Sequence, residues 1–359
     1  MDQSRGEDGT GERQGSAGAR HRSFAGCVRS SGWARLGGVD WRAKAPADWP
    51  AGIAAGIALA LPLLVGTAVE HPGVGAALTL PALLVVMPLP TEAGLGERVR
   101  RLAARTAAIT LAGLYVFLVG ASVWALVPAI AVASAAGAVL PRVGNTAGLA
   151  MVLVGVTGPV EGLGIPALPQ LAGSLWGAGL LLFLRTPKNP HPYRKPARTA
   201  QDWLHAARLA LLLGMVSAVM AALHLLSGEA HWLLTGILLS LRPTPEATQA
   251  RARQRIVGNT LGAIAAALVL LTHPGPWAVT AVVAAAATLA YALRPANYLY
   301  WCLAFPLLLL LLTDFDHPTL WYAAAVRAGL VLAGALISIA ASRHLWPPTR
   351  LPEPHQEHS

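Results

Sequence analysis

From Ala51 onward, long apolar runs alternate with short polar breaks. Read as membrane-crossing helices, the runs fall at 51–69, 73–89, 102–119, 121–140, 145–160 and 167–184, and then at 204–226, 231–241, 256–272, 275–293, 297–313 and 319–342. Six spans thus precede a basic linker, 185–203, and six follow it. Several are shorter than the roughly 20 residues that a straight crossing needs. The predicted fold class is an all-α, polytopic integral membrane protein of about twelve transmembrane helices, built as two six-helix halves at 49–184 and 204–345. The polar, Gly- and Arg-rich stretch 1–48 has no periodicity and is expected to be a disordered basic cytoplasmic tail, and 346–359 a second cytoplasmic tail.

Composition supports this reading. The 359 residues are 55% hydrophobic and only 12% charged, about half the charge of an ordinary soluble domain. That argues against a nucleic-acid-binding domain despite the net charge of +10, because cytoplasmic membrane loops also accumulate Lys and Arg. The bilayer is the expected partner, nucleic acid is not, and a homo-oligomer is left open. Cys27 and Cys302 lie in unlike surroundings and suggest neither a disulfide nor a metal framework.

The charges give an orientation. With the N-terminus inside, the inside segments hold 25 of the 27 Lys and Arg, and the outside loops hold none. The two exceptions are Arg208, at the start of the seventh span, and Arg327, within the twelfth. Glu70, Glu161, Glu229, Asp314 and Asp316 sit on or beside the outside loops. A multi-pass protein of a bacterial-type inner or plasma membrane, with both termini cytoplasmic, is expected.

The two halves resemble each other. An offset of 154 lays Arg101-Leu102-Ala103-Ala104-Arg105-Thr106 on Arg255-Ile256-Val257-Gly258-Asn259-Thr260, and Pro141 on Pro295. With six spans per half, the repeats are predicted to be parallel, related by an axis along the membrane normal. Transporters place substrate at such repeat interfaces, beside short or broken helices. The eighth span, only eleven residues before Arg242-Pro243, is one; Pro81, Pro306 and Thr157-Gly158-Pro159 mark others, although ordinary kinked helices would carry the same residues.

Candidate chemistry is sparse. No Ser/His/Asp set, phosphate loop or Cys/His cluster is present, so no enzyme, cofactor or metal site is expected. His-Pro pairs at His71, His273 and His317 read as helix starts rather than metal ligands. No acid is expected deep in a span, and Arg327 is the one charge expected there. Attraction for an anion is its simplest purpose; an arginine that snorkels or caps carbonyls is the alternative. Alignment of Gly177 with Gly334 makes Gln170 its uncharged counterpart. An aromatic carboxylate could then be held by Arg327 with Trp232, Thr235, Asn297 and Tyr298, with Arg101 and Arg255 drawing anions in at the cytoplasmic face.

Trp232-Leu233-Leu234-Thr235, Arg242-Pro243 and Gln254-Arg255-Ile256-Val257-Gly258-Asn259-Thr260-Leu261-Gly262 resemble the fusaric acid resistance protein-like family, which includes aromatic acid exporters and is related to aluminium-activated malate transporters. Asn259-Thr260 stands where Gly-Thr is usual. Arg208, Asn297-Tyr298 before Pro306, and Arg327 followed by Gly334 also fit, so the resemblance spans 204–342. It implies a membrane transporter that exports small organic anions or aromatic compounds. A major facilitator-type carrier, with twelve full-length helices, and a non-transporting membrane scaffold are the alternatives.

Overall fold

The computed structural model describes residues 41–87, 94–120, 122–157, 167–184, 199–226, 229–313, 315 and 322–345. Among these, every regular element is helical: α1 (Trp49–Ala68), α2 (Pro72–Val85), α3 (Leu95–Val119), α4 (Val123–Val139), α5 (Thr146–Thr157), α6 (Ala167–Leu184), α7 (Ala200–Ala222), α8 (Ala230–Ser240), α9 (Pro245–Leu271), α10 (Pro276–Leu293), α11 (Tyr298–Thr313) and α12 (Tyr322–Ala340), the last running into a π-helical turn (Ala341–Leu345). Seven of them, α1, α3, α6, α7, α9, α10 and α12, are long and apolar enough to cross a membrane. The chain is a polytopic, all-helical membrane protein. Most of the linker 185–203, the C-terminal tail, Glu161, Asp314, Asp316, the His317-Pro318 pair and the Gly158-Pro159 break lie outside the described residues, as does the tail before Trp41.

Two helices begin well before the apolar runs that predict them. Thr244 accepts a hydrogen bond from the Ala247 amide (3.3 Å), Pro245 opens the helix and Glu246 lies in its first turn, three start signals in a row. α9 therefore has 27 residues, a length of about 40 Å against about 30 Å of hydrocarbon. α3 likewise starts at Leu95, after Gly94. The stretches expected as basic loops are thus helical turns that carry Arg98, Arg101, Arg105, Arg251 and Arg255. Arg327 is consequently not the one buried cation: Arg98, Arg101, Arg105 and Arg255 are buried too.

The helix pairs fall into matched sets. α1 packs on α10 and α4 on α7; α2 on α6 and α8 on α12; α3 on α6 and α9 on α12; α3 on α5 and α9 on α11; α4 on α5 and α10 on α11; α5 on α8 and α11 on α2. Within each set, exchanging every helix for the one six places away turns one pair into the other. The correspondence has two marked exceptions, since α1 packs on α2 and on α6 more extensively than α7 packs on α8 and on α12. Equivalent glycines make equivalent approaches: Gly177 sets α6 against Ala82 and Val85 of α2, and Gly334 sets α12 against Leu233 and Gly236 of α8. α1 and α7 both end in a left-handed residue, Glu70 (φ 59°) and His224 (φ 56°).

Two contacts between the halves bear on the site. Tyr291 of α10 donates its hydroxyl to the Leu83 carbonyl of α2 (2.8 Å). The chain before α1 is held against the α10–α11 turn: the amides of Lys44 and Asp48 donate to the Ala296 and Ala292 carbonyls (2.7 and 2.9 Å), and Tyr300 donates to the Trp41 carbonyl (2.8 Å). Residues 41–48 are therefore fixed structure, a correction to the tail expected over 1–48. α8 has only eleven residues and is buried almost all round, which removes the ground for a carrier of twelve full-length helices.

Candidate anion-binding site

The residues expected to form one substrate site divide between the two ends of α11. Arg327, on the second turn of α12, donates from Nε to both Glu229 carboxylate oxygens (3.1 and 2.9 Å) and from Nη2 to Oε1 (2.9 Å). Its Nη1 lies 3.4 Å from Thr313 Oγ1 at the last residue of α11, and its Cζ stands 5.6 Å from the Trp232 ring centroid. Tyr298 is the first residue of α11. Fifteen steps at 1.5 Å each put about 22 Å between the two ends, so no small substrate touches both. Arg327 is thus ion-paired with Glu229 rather than unneutralised, and its contacts link α8, α11 and α12.

The other expected residues fall as follows. Trp232 is buried beneath Arg327, and Thr235 spends its hydroxyl on the Trp232 carbonyl (3.1 Å). Gln170 lies at the α3–α6 contact, its side chain packed beside Gly113. Since α6 and α12 share no extended contact, Gln170 and Arg327 are not brought together. Arg101 donates from Nε to Glu97 (3.1 Å) and from Nη1 to the Pro141 carbonyl (3.3 Å). It is held by its own helix and by the turn after α4.

Asn297, Tyr298 and Arg255 do come together, with partners that hydropathy did not single out. Lys44, Arg242, Arg251, Arg294, Asn297 and Tyr298 line a cavity of about 510 Å³ where the start of α9 meets the α10–α11 turn. Asn297 is fixed at both ends: Oδ1 accepts from the Leu299 amide (3.0 Å), capping α11, and Nδ2 donates to the Arg42 carbonyl (3.2 Å). The Arg251 guanidinium lies over the Tyr298 ring, 3.6 Å from its centroid, and Arg294 lies 4.5 Å from the centroid of Trp301. The aromatic faces are thus occupied by guanidinium groups, which they hold in place. Tyr298 does not present an open ring to an aromatic substrate. Behind it, Arg255 donates from Nη1 to the Tyr298 hydroxyl (3.4 Å), while its buried Nε has no partner.

Among the described residues, no carboxylate pairs with Arg242, Arg251, Arg255 or Arg294. Burial, and then the neighbouring Arg251, draws the pKa of Arg242 down to about 10. Burial lowers that of Arg294 as well. An arginine still carries its proton at neutral pH under such shifts. The cavity is therefore a concentration of fixed positive charge. It can hold an oxyanion through charge-assisted hydrogen bonds. Among the described residues no group of three metal-binding side chains converges anywhere.

Residues 211–341 match the model of a family described as fusaric acid resistance protein-like. A 145-residue stretch is 31% identical to an uncharacterised protein of Haemophilus influenzae and 32% identical to uncharacterised protein ORF2 of Neisseria gonorrhoeae. Each match covers 40% of this chain, but only 20% and 34% of those two proteins, so the chain spans a fifth to a third of the relatives' length. No solved structure matches. The matched stretch, from within α7 to just past α12, contains the Trp232, Arg242-Pro243 and Gln254-to-Gly262 motifs that carry the expected resemblance to that family.

Proposed function

We propose that the protein is a membrane transporter that exports small organic anions, and that the basic cavity at the α9–α11 end is where cargo enters from the cytoplasm. The carrying observation is the cavity itself, with four basic side chains on its lining and no acid among them. Fixed cations in a partly closed, low-dielectric mouth attract and concentrate anions. The family match supports transport as the process. The distribution of Lys and Arg supports a cytoplasmic location for this end. The matched helix pairs support two repeats arranged about the cargo path.

Purified protein in liposomes, loaded with a panel of labelled aliphatic and aromatic acids, tests this. Flux of at least one acid is expected, and Arg242→Gln and Arg294→Gln should each reduce it at equal protein level. Absence of flux for the whole panel, or flux indifferent to both substitutions, refutes the assignment.

A further inference from the structure

The offset that lays Arg101 on Arg255 and Pro141 on Pro295 lays Glu97 on Arg251. The two halves therefore carry opposite charges at one equivalent position, on the first turn of α3 and the second turn of α9. The consequence is visible in the side chains. Glu97 accepts from Arg101 Nε (3.1 Å) and, in a fork, from Arg142 Nε and Nη2 (3.2 and 3.1 Å). One carboxylate is thus held by two arginines, 10% exposed, beside the turn that ends α4. In the second half the acid is gone. Arg251 takes its place, swings onto the Tyr298 ring, and the basic cavity opens beside the turn that ends α10.

Three buried polar groups behind the cavity mouth lack a protein partner: Arg242 Nε, Arg255 Nε, and both side-chain atoms of Asn259, one turn further along α9. Arg255 and Asn259 are almost fully buried. At the equivalent positions of the first half, Arg101 donates from Nε to Glu97 and from Nη1 to the Pro141 carbonyl, and Arg105 donates from Nη1 to the carbonyls of Val85 and Met87. Buried polar groups are normally paired. The Nε that Glu97 holds in Arg101 is thus the one left without a hydrogen-bond partner in Arg255, in the half that lacks the carboxylate.

We infer that the α9–α11 cavity is an oxyanion site occupied once per chain, and that Glu97 is the built-in occupant of the equivalent place in the first half. The ligand class follows from the same geometry. Several cations converge without an acid, which favours a small anion with two negative charges over a monoanion. Both flat aromatic surfaces are already covered by guanidinium groups, so an aromatic body gains little. A phosphate or a compact dicarboxylate fits; the shared chemistry is a doubly charged oxyanion. The inference rests on the transport proposal only for calling the bound anion cargo; binding and its stoichiometry stand apart from flux.

The test is calorimetric titration of the full-length protein in neutral detergent at low salt, with inorganic phosphate in one arm and succinate in another; benzoate is the monoanionic control. Wild type should bind one equivalent of phosphate or succinate, and benzoate about tenfold more weakly or worse. Arg251→Glu rebuilds the first-half arrangement, placing an acid four residues before Arg255, and should abolish binding. Arg251→Gln should weaken it about tenfold. Glu97→Ala should raise the capacity to two equivalents. The binding arm that saturates identifies the source as phosphate or carboxylate. No saturable binding by wild type in either arm, or one undiminished equivalent in both Arg251 variants that elute as monodisperse protein, overturns the site. A monodisperse Glu97→Ala protein that still binds one equivalent overturns the role of Glu97. Binding as predicted without flux in liposomes would leave this inference standing and sink the transport proposal. Flux without a saturable site would do the reverse.

Discussion

The link between Glu229 and Arg327 makes an asymmetric prediction. The Arg327 side chain is 7% exposed, the Glu229 side chain 44%. Breaking a fully buried ion pair costs 3–5 kcal/mol, as a rule, because the survivor is left charged and desolvated. Here only one survivor would be desolvated. Glu229→Gln strands the arginine, but leaves an amide oxygen to accept one bond and water near the half-open carboxylate position. The cost should fall to about 2 kcal/mol. Arg327→Gln leaves an acid that water can reach, and loses the contacts to Trp232 and Thr313, at about 1 kcal/mol. The decisive variant is the double one. Once Glu229 is neutral, removing the stranded cation should recover stability, so Glu229→Gln/Arg327→Gln should unfold at a higher denaturant concentration than Glu229→Gln alone. Chemical unfolding in mixed micelles, followed by tryptophan fluorescence, measures the cycle. A double variant less stable than Glu229→Gln would refute the reasoning, since it would mean that Arg327 stabilises the fold without its acid. Anion flux in Arg327→Gln, corrected for protein level, should be close to wild type; a large loss would return Arg327 to the transport path.

Two further predictions test the packing and the electrostatics. A methyl group on Gly262 would lie against the Leu303 carbonyl oxygen, closer than side-chain carbons approach backbone atoms; Gly262→Ala should force α9 from α11 and destabilise by about 1–3 kcal/mol, read as a lower melting temperature in detergent, and an unchanged melt would show that the helices separate freely. Arg242, whose pKa is lowered to about 10, is faced by Arg251, Arg255, Arg294 and Tyr298, with His205 of α7 close enough to sense its charge. Below that pKa the guanidinium stays charged, so affinity for sulfate, whose own charge is constant, should be flat from neutral to mildly alkaline pH and fall only as pH nears about 10; a fall across neutrality would mean that a different group governs the site.

The helices were legible because lipid leaves the backbone few options: a run of apolar residues that spans hydrocarbon must be helical to satisfy its own amides. The start signals at Thr244, Pro245 and Glu246 were legible too, but hydropathy alone registers only the apolar part of α9 and assigns its first turns to a loop. That choice hides Arg251 and Arg255 from one another's helix face, and with them the site. The pairing of Glu229 with Arg327 joins residues 98 apart in sequence. No local pattern announces it, so a buried arginine invites a ligand that its own chain already supplies. The grouping of Asn297 and Tyr298 with Arg327 failed for a simpler reason: the length of α11 separates them. What could have located the cavity is the repeat itself. Where two copies of one packing scheme differ in the sign of a charge, as at Glu97 and Arg251, the copy with the acid can pair Arg101 and Arg142 internally. The copy without it must leave its arginines to water, to aromatic faces, or to an anion from outside. The unpartnered Arg255 and Asn259 atoms lie in that second copy, so the difference between the halves, more than their likeness, marks where a ligand belongs.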